Sequence, residues 1–448
     1  AKINKNKHMK QIIVLFLALF FAVSCNSNKQ ERPAETFYMP AEWESHDAVW
    51  LGWEKDSLRG YYPAVVNIIQ ALAKNVTVKI AFNNDTLLQK AKAYLASQGV
   101  DSSMYKTYIM PGDRYWIRDH GAAFLINGKG ELGVADFGWN AYGYPGFLEE
   151  KYSGNKDSIN HYLNLRKEFR MITATVDSLM AIAEGATILK TDVIHEGGAI
   201  EVNGEGTLIL CEATVLQRNP DLKKEYIETE MKRVLGISNI IWMKKGLADD
   251  PQNFYRRIAP GYYGGGTGGH TDEFVRFANA TTVMLAWVDE KEKDLNPVNQ
   301  LNYERMTENY NILKNAKDQD GNAFTIIKVP LPDLITKKIK AREKIDSGEV
   351  TFDVDMKGFV PAEAPTVGDS ILRVPAGSYM NYLVTNGTVL LPTYTAHGSS
   401  KEKEEQVRKL FENQFPGRKI VFIDAMMQNW SGGGIHCSTQ QQPKKNSR

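Results

Sequence analysis

Cysteine is scarce in this 448-residue chain. Three residues, Cys25, Cys211 and Cys437, are too few and too scattered for a disulfide framework. Charge of one sign is scarce as well. The 54 Lys and Arg against 53 Asp and Glu leave a formal net charge of +1, so neither nucleic acid nor bulk polyanion is expected as a partner. No Gly-rich strand-to-helix turn of the dinucleotide-binding kind is found. Apart from the adjacent His436 and Cys437, no His or Cys pair has ligand spacing, so neither a metal nor a cofactor is expected. What remains is an ordinary apolar fraction on a chain long enough to bury a large core.

The N-terminus reads as an address. Lys2, Lys5, Lys7 and Lys10 precede the apolar run Ile12 to Val23, which is too short to span a bilayer as a mature helix. Small residues, Ala22-Val23-Ser24, lead into Cys25, and the polar stretch Asn26 to Glu35 follows. The pattern resembles a bacterial lipoprotein signal cleaved before Cys25, with that sulfur diacylated; an ordinary secretory signal with an incidental cysteine is the alternative. The expected organisation is a signal over residues 1–25, a linker over 26–36 and one catalytic domain over 37–448. The expected localisation is the cell envelope, exported and held to the membrane by lipid. Oligomeric state is not legible.

A repeat runs through the rest. Each unit reads as amphipathic helix, strand, polar turn, then a strand pair closed by a glycine turn. Predicted helices cover Pro63 to Lys74, Asp85 to Gln98, Val176 to Glu184, Leu222 to Leu235, Tyr303 to Ala316 and Lys401 to Gln414. The polar turns are Asp113 to Asp119, Glu196-Gly197-Gly198, Gly269-His270-Thr271-Asp272, Ser378-Tyr379-Met380-Asn381 and Ser431 to Cys437. They precede strands rather than helices, which argues against an ordinary doubly wound sheet. A five-bladed α/β propeller, with the turns gathered at its centre, is the expected fold. Asp250 to Gly268 and Ile335 to Asp369 break the repeat and read as surface insertions or lids.

Cys211 lies in the apolar run Thr207 to Cys211, as a buried structural thiol would. Cys437 follows three glycines, whose missing Cβ atoms leave backbone amides approachable, and it is the candidate nucleophile. A sulfur, the His270 imidazole and several carboxylates suit attack on a planar cation, and a guanidinium is the obvious one.

These motifs occur in the order of the agmatine deiminase and bacterial-type peptidylarginine deiminase family, a branch of the guanidine-modifying α/β-propeller (pentein) superfamily. The resemblance runs from Tyr38-Met39-Pro40-Ala41-Glu42-Trp43-Glu44 to Cys437-Ser438-Thr439-Gln440-Gln441-Gln442. His120, Ala122 and the two insertions depart from its pattern. The resemblance implies that Asp119 and Asp272 hold the guanidinium, that Cys437 attacks its carbon, and that His270 serves as general acid and then base. Glu196 then orients His270 or supports the guanidinium, Asn381 touches polar groups of the substrate, and Trp43 and Trp116 flank its aliphatic arm. His436 is the weaker histidine candidate, because alternation along a strand would point it away from its neighbour. Hydrolysis of agmatine to N-carbamoylputrescine is the leading expectation. Citrullination of peptide arginine is the nearest alternative; amidino transfer, cysteine proteolysis and a non-catalytic binding lipoprotein are more distant ones.

Overall fold

The computed structural model describes residues 32–445 except 253, 347, 348 and 350. Cys25 and the expected signal segment lie outside the described residues.

Among the described residues, five small sheets repeat one arrangement, an antiparallel pair with a parallel third strand. The second sheet sets Ala123–Ile126, Leu132–Gly138 and Thr187–Ile194 side by side. Glu201–Val202, Thr207–Cys211 and Asn239–Met243 form the third. The fourth holds Val275–Asn279, Thr282–Trp287 and Thr325–Pro330, and the fifth Leu383–Thr385, Thr388–Pro392 and Lys419–Ile423. The first sheet joins segments far apart in sequence: Thr439–Pro443 pairs antiparallel with His46–Leu51, followed in parallel by Thr77–Phe82 and Tyr105–Ile109.

Local chemistry accounts for these elements. Thr207–Cys211 is buried along its whole length, as a strand covered on both faces must be, so it shows an apolar run instead of alternation. Hairpins turn at asparagines whose side chains accept backbone N–H groups: Asn127 from Lys129 and Glu131, and Asn203 from Glu205, Gly206 and Thr207. The helix Lys401–Gln414 starts on Ser400, whose hydroxyl accepts from the Lys403 N–H at 3.2 Å, and it buries Val407 and Phe411 four residues apart.

The repeat read from the sequence straddles two sheets. Helix and strand finish one sheet, and the polar turn then crosses to the strand pair that opens the next. Every candidate turn is therefore a sheet-to-sheet link. The two insertions are not independent lids. Arg256–Ala259 and Tyr262–Gly264 from the first combine with Lys337–Arg342 and Val354–Asp355 from the second, and with Ser370–Arg373, in one five-stranded sheet. A third departure, absent from the sequence expectation, is the run of helices Tyr144–Lys151, Lys156–Leu165 and Lys167–Thr173 between two strands of the second sheet. Among the described residues no helix is long and apolar enough to cross a membrane.

Candidate active site

Cys437 ends the link out of the fifth sheet, and its glycines serve close packing. A Cβ on Gly433 would lie 2.8 Å from the Trp116 ring, and one on Gly434 would lie 2.6 Å from Asn381 Oδ1. The turn is thinned so that two neighbouring links can press against it. The Cys437 sulfur is buried. It receives the Asn381 Nδ2–H at 3.1 Å and lies 3.4 Å from Asp272 Oδ2 and 3.9 Å from Glu273 Oε1. Burial, then Asp272, Glu273 and Asp119, push the thiol well above its ordinary pKa, and a cation placed beside the sulfur would work in the opposite direction.

Asn381 has moved roles. Its amide nitrogen serves Glu273 Oε1 at 2.8 Å as well as the sulfur, and its oxygen accepts the His436 N–H at 2.9 Å. With both ends engaged by protein, it fastens the nucleophile, a role distinct from the expected contact with polar groups of the substrate. Glu273 is driven well above the carboxylate range by burial and by Asp272, Asp250, Asp249 and Asp119, which makes it a neutral acid. Asp272, Glu273 and Cys437 bring one ligand atom each within 4.8 Å of one another. The Asn381 N–H aimed at the sulfur occupies the side of Cys437 that a metal ion would need.

His270 is buried with Nε2 3.3 Å from Glu196 Oε2 and Nδ1 3.6 Å from Asp119 Oδ1. Burial alone would lower its pKa, but Asp119 and Glu196 prevail and carry it to about 9, so the ring is an imidazolium at neutral pH. Glu196 works against burial through Arg218, whose Nε lies 2.9 and 3.1 Å from its two oxygens, and it stays at about 2. Asp119 is not paired with its neighbour Arg118, which donates instead to the His436 carbonyl at 3.3 Å. Asp119 accepts from the Gly198 N–H at 3.1 Å and the Tyr142 hydroxyl at 2.8 Å, and burial raises it to about 6.

Gly198 marks the focus. A Cβ there would sit 2.6 Å from His270 Nδ1, 2.8 Å from Asp119 Oδ1 and 3.0 Å from Asp272 Oδ2. An imidazole and two carboxylates thus converge on one glycine, and Asp272 also touches the sulfur. His436 does not touch the sulfur; its ring lies between Asp272 and Glu42.

A cavity of 330 Å³ opens above Asp119 and Cys437, walled by Trp53, Trp116, Trp139, Tyr142, Phe169 and Phe254. Trp116, expected to flank the substrate's alkyl arm, lines this cavity. Trp43 does not: it packs against the largest apolar cluster, and its carbonyl accepts from the Arg418 guanidinium. The sequence reading missed Tyr142, Trp139 and Phe169 altogether, and it left Phe254 unremarked within an insertion. Tyr115, Ala141, Tyr142 and Phe254 all adopt positive φ near this cavity (81°, 61°, 59° and 72°), a strain that such residues hold only where packing over-determines them.

The model of the Porphyromonas-type peptidyl-arginine deiminase family matches residues 38–443. The agmatine deiminase of Pseudomonas putida is 30% identical over 420 residues, covering 92% of this chain and 96% of its own. That of Stutzerimonas stutzeri is 29% identical over 412 residues, covering 91% and 95%. Two solved structures share the fold: the agmatine deiminase of Enterococcus faecalis (TM-score 0.68, 23% identity, 94% of this chain and 99% of that one) and a variant of the C. jejuni agmatine deiminase with substrate bound (TM-score 0.63, 18% identity, 92% and 98%). With nearly its whole described length matched, the chain belongs to the Porphyromonas-type peptidyl-arginine deiminase family.

Proposed function

We propose that this chain is a hydrolase of guanidinium C–N bonds that converts agmatine and water to N-carbamoylputrescine and ammonia. The observation that carries this reading is the convergence of His270, Asp119 and Asp272 over Gly198, beside the Cys437 sulfur. Two carboxylates separated by an imidazolium and facing a thiol are arranged to grip a planar cation and expose its carbon.

The bound cation offsets the negative charge that keeps Cys437 protonated, and the thiolate forms as its proton passes to water in the cavity. Its sulfur bonds to the guanidinium carbon. The tetrahedral adduct expels ammonia as His270 donates a proton, leaving an S-alkylthiouronium. Now neutral, His270 takes a proton from water as the oxygen bonds to the same carbon. Collapse of the second adduct breaks the C–S bond, the adduct's hydroxyl proton returns to the departing sulfur, and the ureido product is freed. Glu196 holds His270 in place, and Trp116 with the other aromatic walls covers the alkyl arm. Among the acids at the mouth, Glu54 faces Arg59 at 3.5 Å and is our choice for the distal ammonium.

The five like sheets are read here as blades about one axis, the arrangement that would bring five successive links to one point. We read the N-terminal pattern as a lipid anchor at Cys25 and propose the cell envelope as the enzyme's location; mass spectrometry of the membrane fraction finds an acylated Cys25 if this is right and an unmodified secreted protein if it is wrong.

Ureido colorimetry of the purified protein with agmatine, free arginine and an arginine peptide tests the reaction. Turnover of agmatine that disappears in Cys437→Ala and persists in Cys211→Ala is expected. No ureido product from agmatine overturns the substrate, and turnover by Cys437→Ala overturns the covalent route.

A further inference from the structure

Both ring nitrogens of His436 meet carboxylates. Nδ1 lies 2.8 Å from Asp272 Oδ2 and Nε2 lies 2.8 Å from Glu42 Oε2. A neutral imidazole offers one N–H and one lone pair, and a lone pair facing a carboxylate at that distance repels it. Two such contacts require two protons shared by the three groups.

The partners show where those protons sit. Glu42 Oε1 accepts the Val384 N–H at 2.8 Å, and Oε2 accepts from the Arg276 guanidinium at 2.5 Å as well as from His436. Asp272 Oδ2 faces the Cys437 S–H in addition to His436. Every contact made by these oxygens is with a donor, which leaves the two carboxylates ionised and both protons on the ring. Burial and the guanidiniums of Arg118 and Arg276 bring the imidazole below its ordinary pKa, and Glu42 and Asp272 oppose them only in part, so the second ring proton rests on the two carboxylate contacts. Its charge is held only while both carboxylates remain. Glu201 belongs to the same buried group but reaches His436 only indirectly, through Arg276 Nε at 2.6 Å.

This arrangement leaves Asp272 with one oxygen engaged and the other, Oδ1, buried without a hydrogen-bond partner. An unpartnered oxygen on a buried carboxylate is costly, and it is useful only if a donor arrives.

We propose that Glu42 and His436 are positioning residues: the His436 imidazolium, held between Glu42 and Asp272, fixes Asp272 through Oδ2, keeps it ionised among its acidic neighbours and leaves Oδ1 free for a substrate N–H. The proposal rests on the deimination reading, in which Asp272 grips the cation. It extends the site to the segment before the first strand, whose Glu42 touches no part of the 330 Å³ cavity.

The pH profile of kcat/KM for agmatine tests it in His436→Gln and Glu42→Gln, with Glu201→Gln as control and thermal melts for all three. Without the cation beneath it, Asp272 is left buried beside Asp119 and Glu273, so it protonates at a higher pH. Activity requires its charge as well as that of Asp119, which already sets the acid limb near 6, so the limb should become steeper and move above that value in His436→Gln, and by a smaller step in Glu42→Gln. KM should rise before kcat falls. Glu201→Gln should keep the wild-type limb whatever it does to the melt. In ¹⁵N-histidine NMR of the wild type, two slowly exchanging ring N–H signals should belong to His436, both lost in His436→Gln.

A uniform loss with an unmoved acid limb in both variants, or a single ring N–H on His436, overturns the proposal. If His436→Gln does not fold, Glu42→Gln and the wild-type spectrum still decide. If the wild type fails to deiminate agmatine, the substrate reading falls, while the spectrum still reports whether His436 carries both protons.

Discussion

Gly198→Ala adds a single methyl group at the point where three functional side chains meet. The new carbon would stand 2.6 Å from His270 Nδ1, 2.8 Å from Asp119 Oδ1 and 3.0 Å from Asp272 Oδ2, where ordinary contact begins at 3.4 Å. Something must retreat by roughly 0.4 to 0.8 Å, and each neighbour is anchored from behind: His270 by Glu196, Asp119 by Tyr142, and Asp272 by His436. Overpacking of this kind costs about 1–3 kcal/mol of stability. The functional cost should be larger, since a displacement approaching 1 Å in a reacting constellation removes about two decades of rate, close to 2.7 kcal/mol of transition-state stabilisation. The assay is kcat and KM for agmatine with a thermal melt on the same preparation. A folded variant with kcat reduced about a hundredfold is expected. A kcat/KM within a factor of three of wild type would mean that the three groups do not act together at this point, and the clamp would be refuted.

Other outcomes follow from the same geometry. Because His270 must be protonated to release ammonia and titrates at about 9, kcat/KM should fall as pH rises through that value; Asp119→Asn, which removes the strongest group raising it, should bring the fall to lower pH. Glu196 is depressed from 4.5 to about 2, so its contribution to stability is complete above pH 4.5 and is lost as pH falls toward 2. Glu196→Gln should cost on the order of 3 kcal/mol at neutral pH and should flatten that acid limb in pH-dependent denaturation. Tyr142→Phe removes a hydroxyl 2.8 Å from Asp119 and should lower kcat/KM by about one to two decades, with the melt little changed; an unchanged kcat/KM would show that the hydroxyl only fills space.

Much of the fold was legible because the repeat carries its own punctuation. Helices Val176–Glu184 and Lys401–Gln414 stand where hydrophobic periodicity and turn residues placed them. The turns were legible because buried links rich in Asp, Glu, His and Gly contrast with the apolar strands on either side. Helices 144–173 were not, since each is short and buries few residues. Lys156–Leu165 buries Ile159 alone, and the group is held by contacts distant in sequence, such as Phe147 stacked on Phe254 with centroids 3.9 Å apart. Trp43 was misplaced because an aromatic near a motif carries no sign of whether it faces core or cavity. The part played by Glu42 was hidden for a related reason: nothing in a linear sequence says that it will meet a histidine 394 positions later.

The pairing of Thr439–Pro443 with His46–Leu51 has a consequence for biosynthesis. The ribosome adds the nucleophile after every other group of the site, two residues before the strand that must return to pair with His46–Leu51. A contact of such long range cannot form until that strand has emerged, so the growing polypeptide completes four other links without reactive capacity. A chain broken off by a stalled ribosome anywhere between the fifth sheet and Cys437 would lack the sulfur and at the same time bare the edge of the strand through Trp50. The damage that silences the chemistry also exposes the chain to proteolytic clearance.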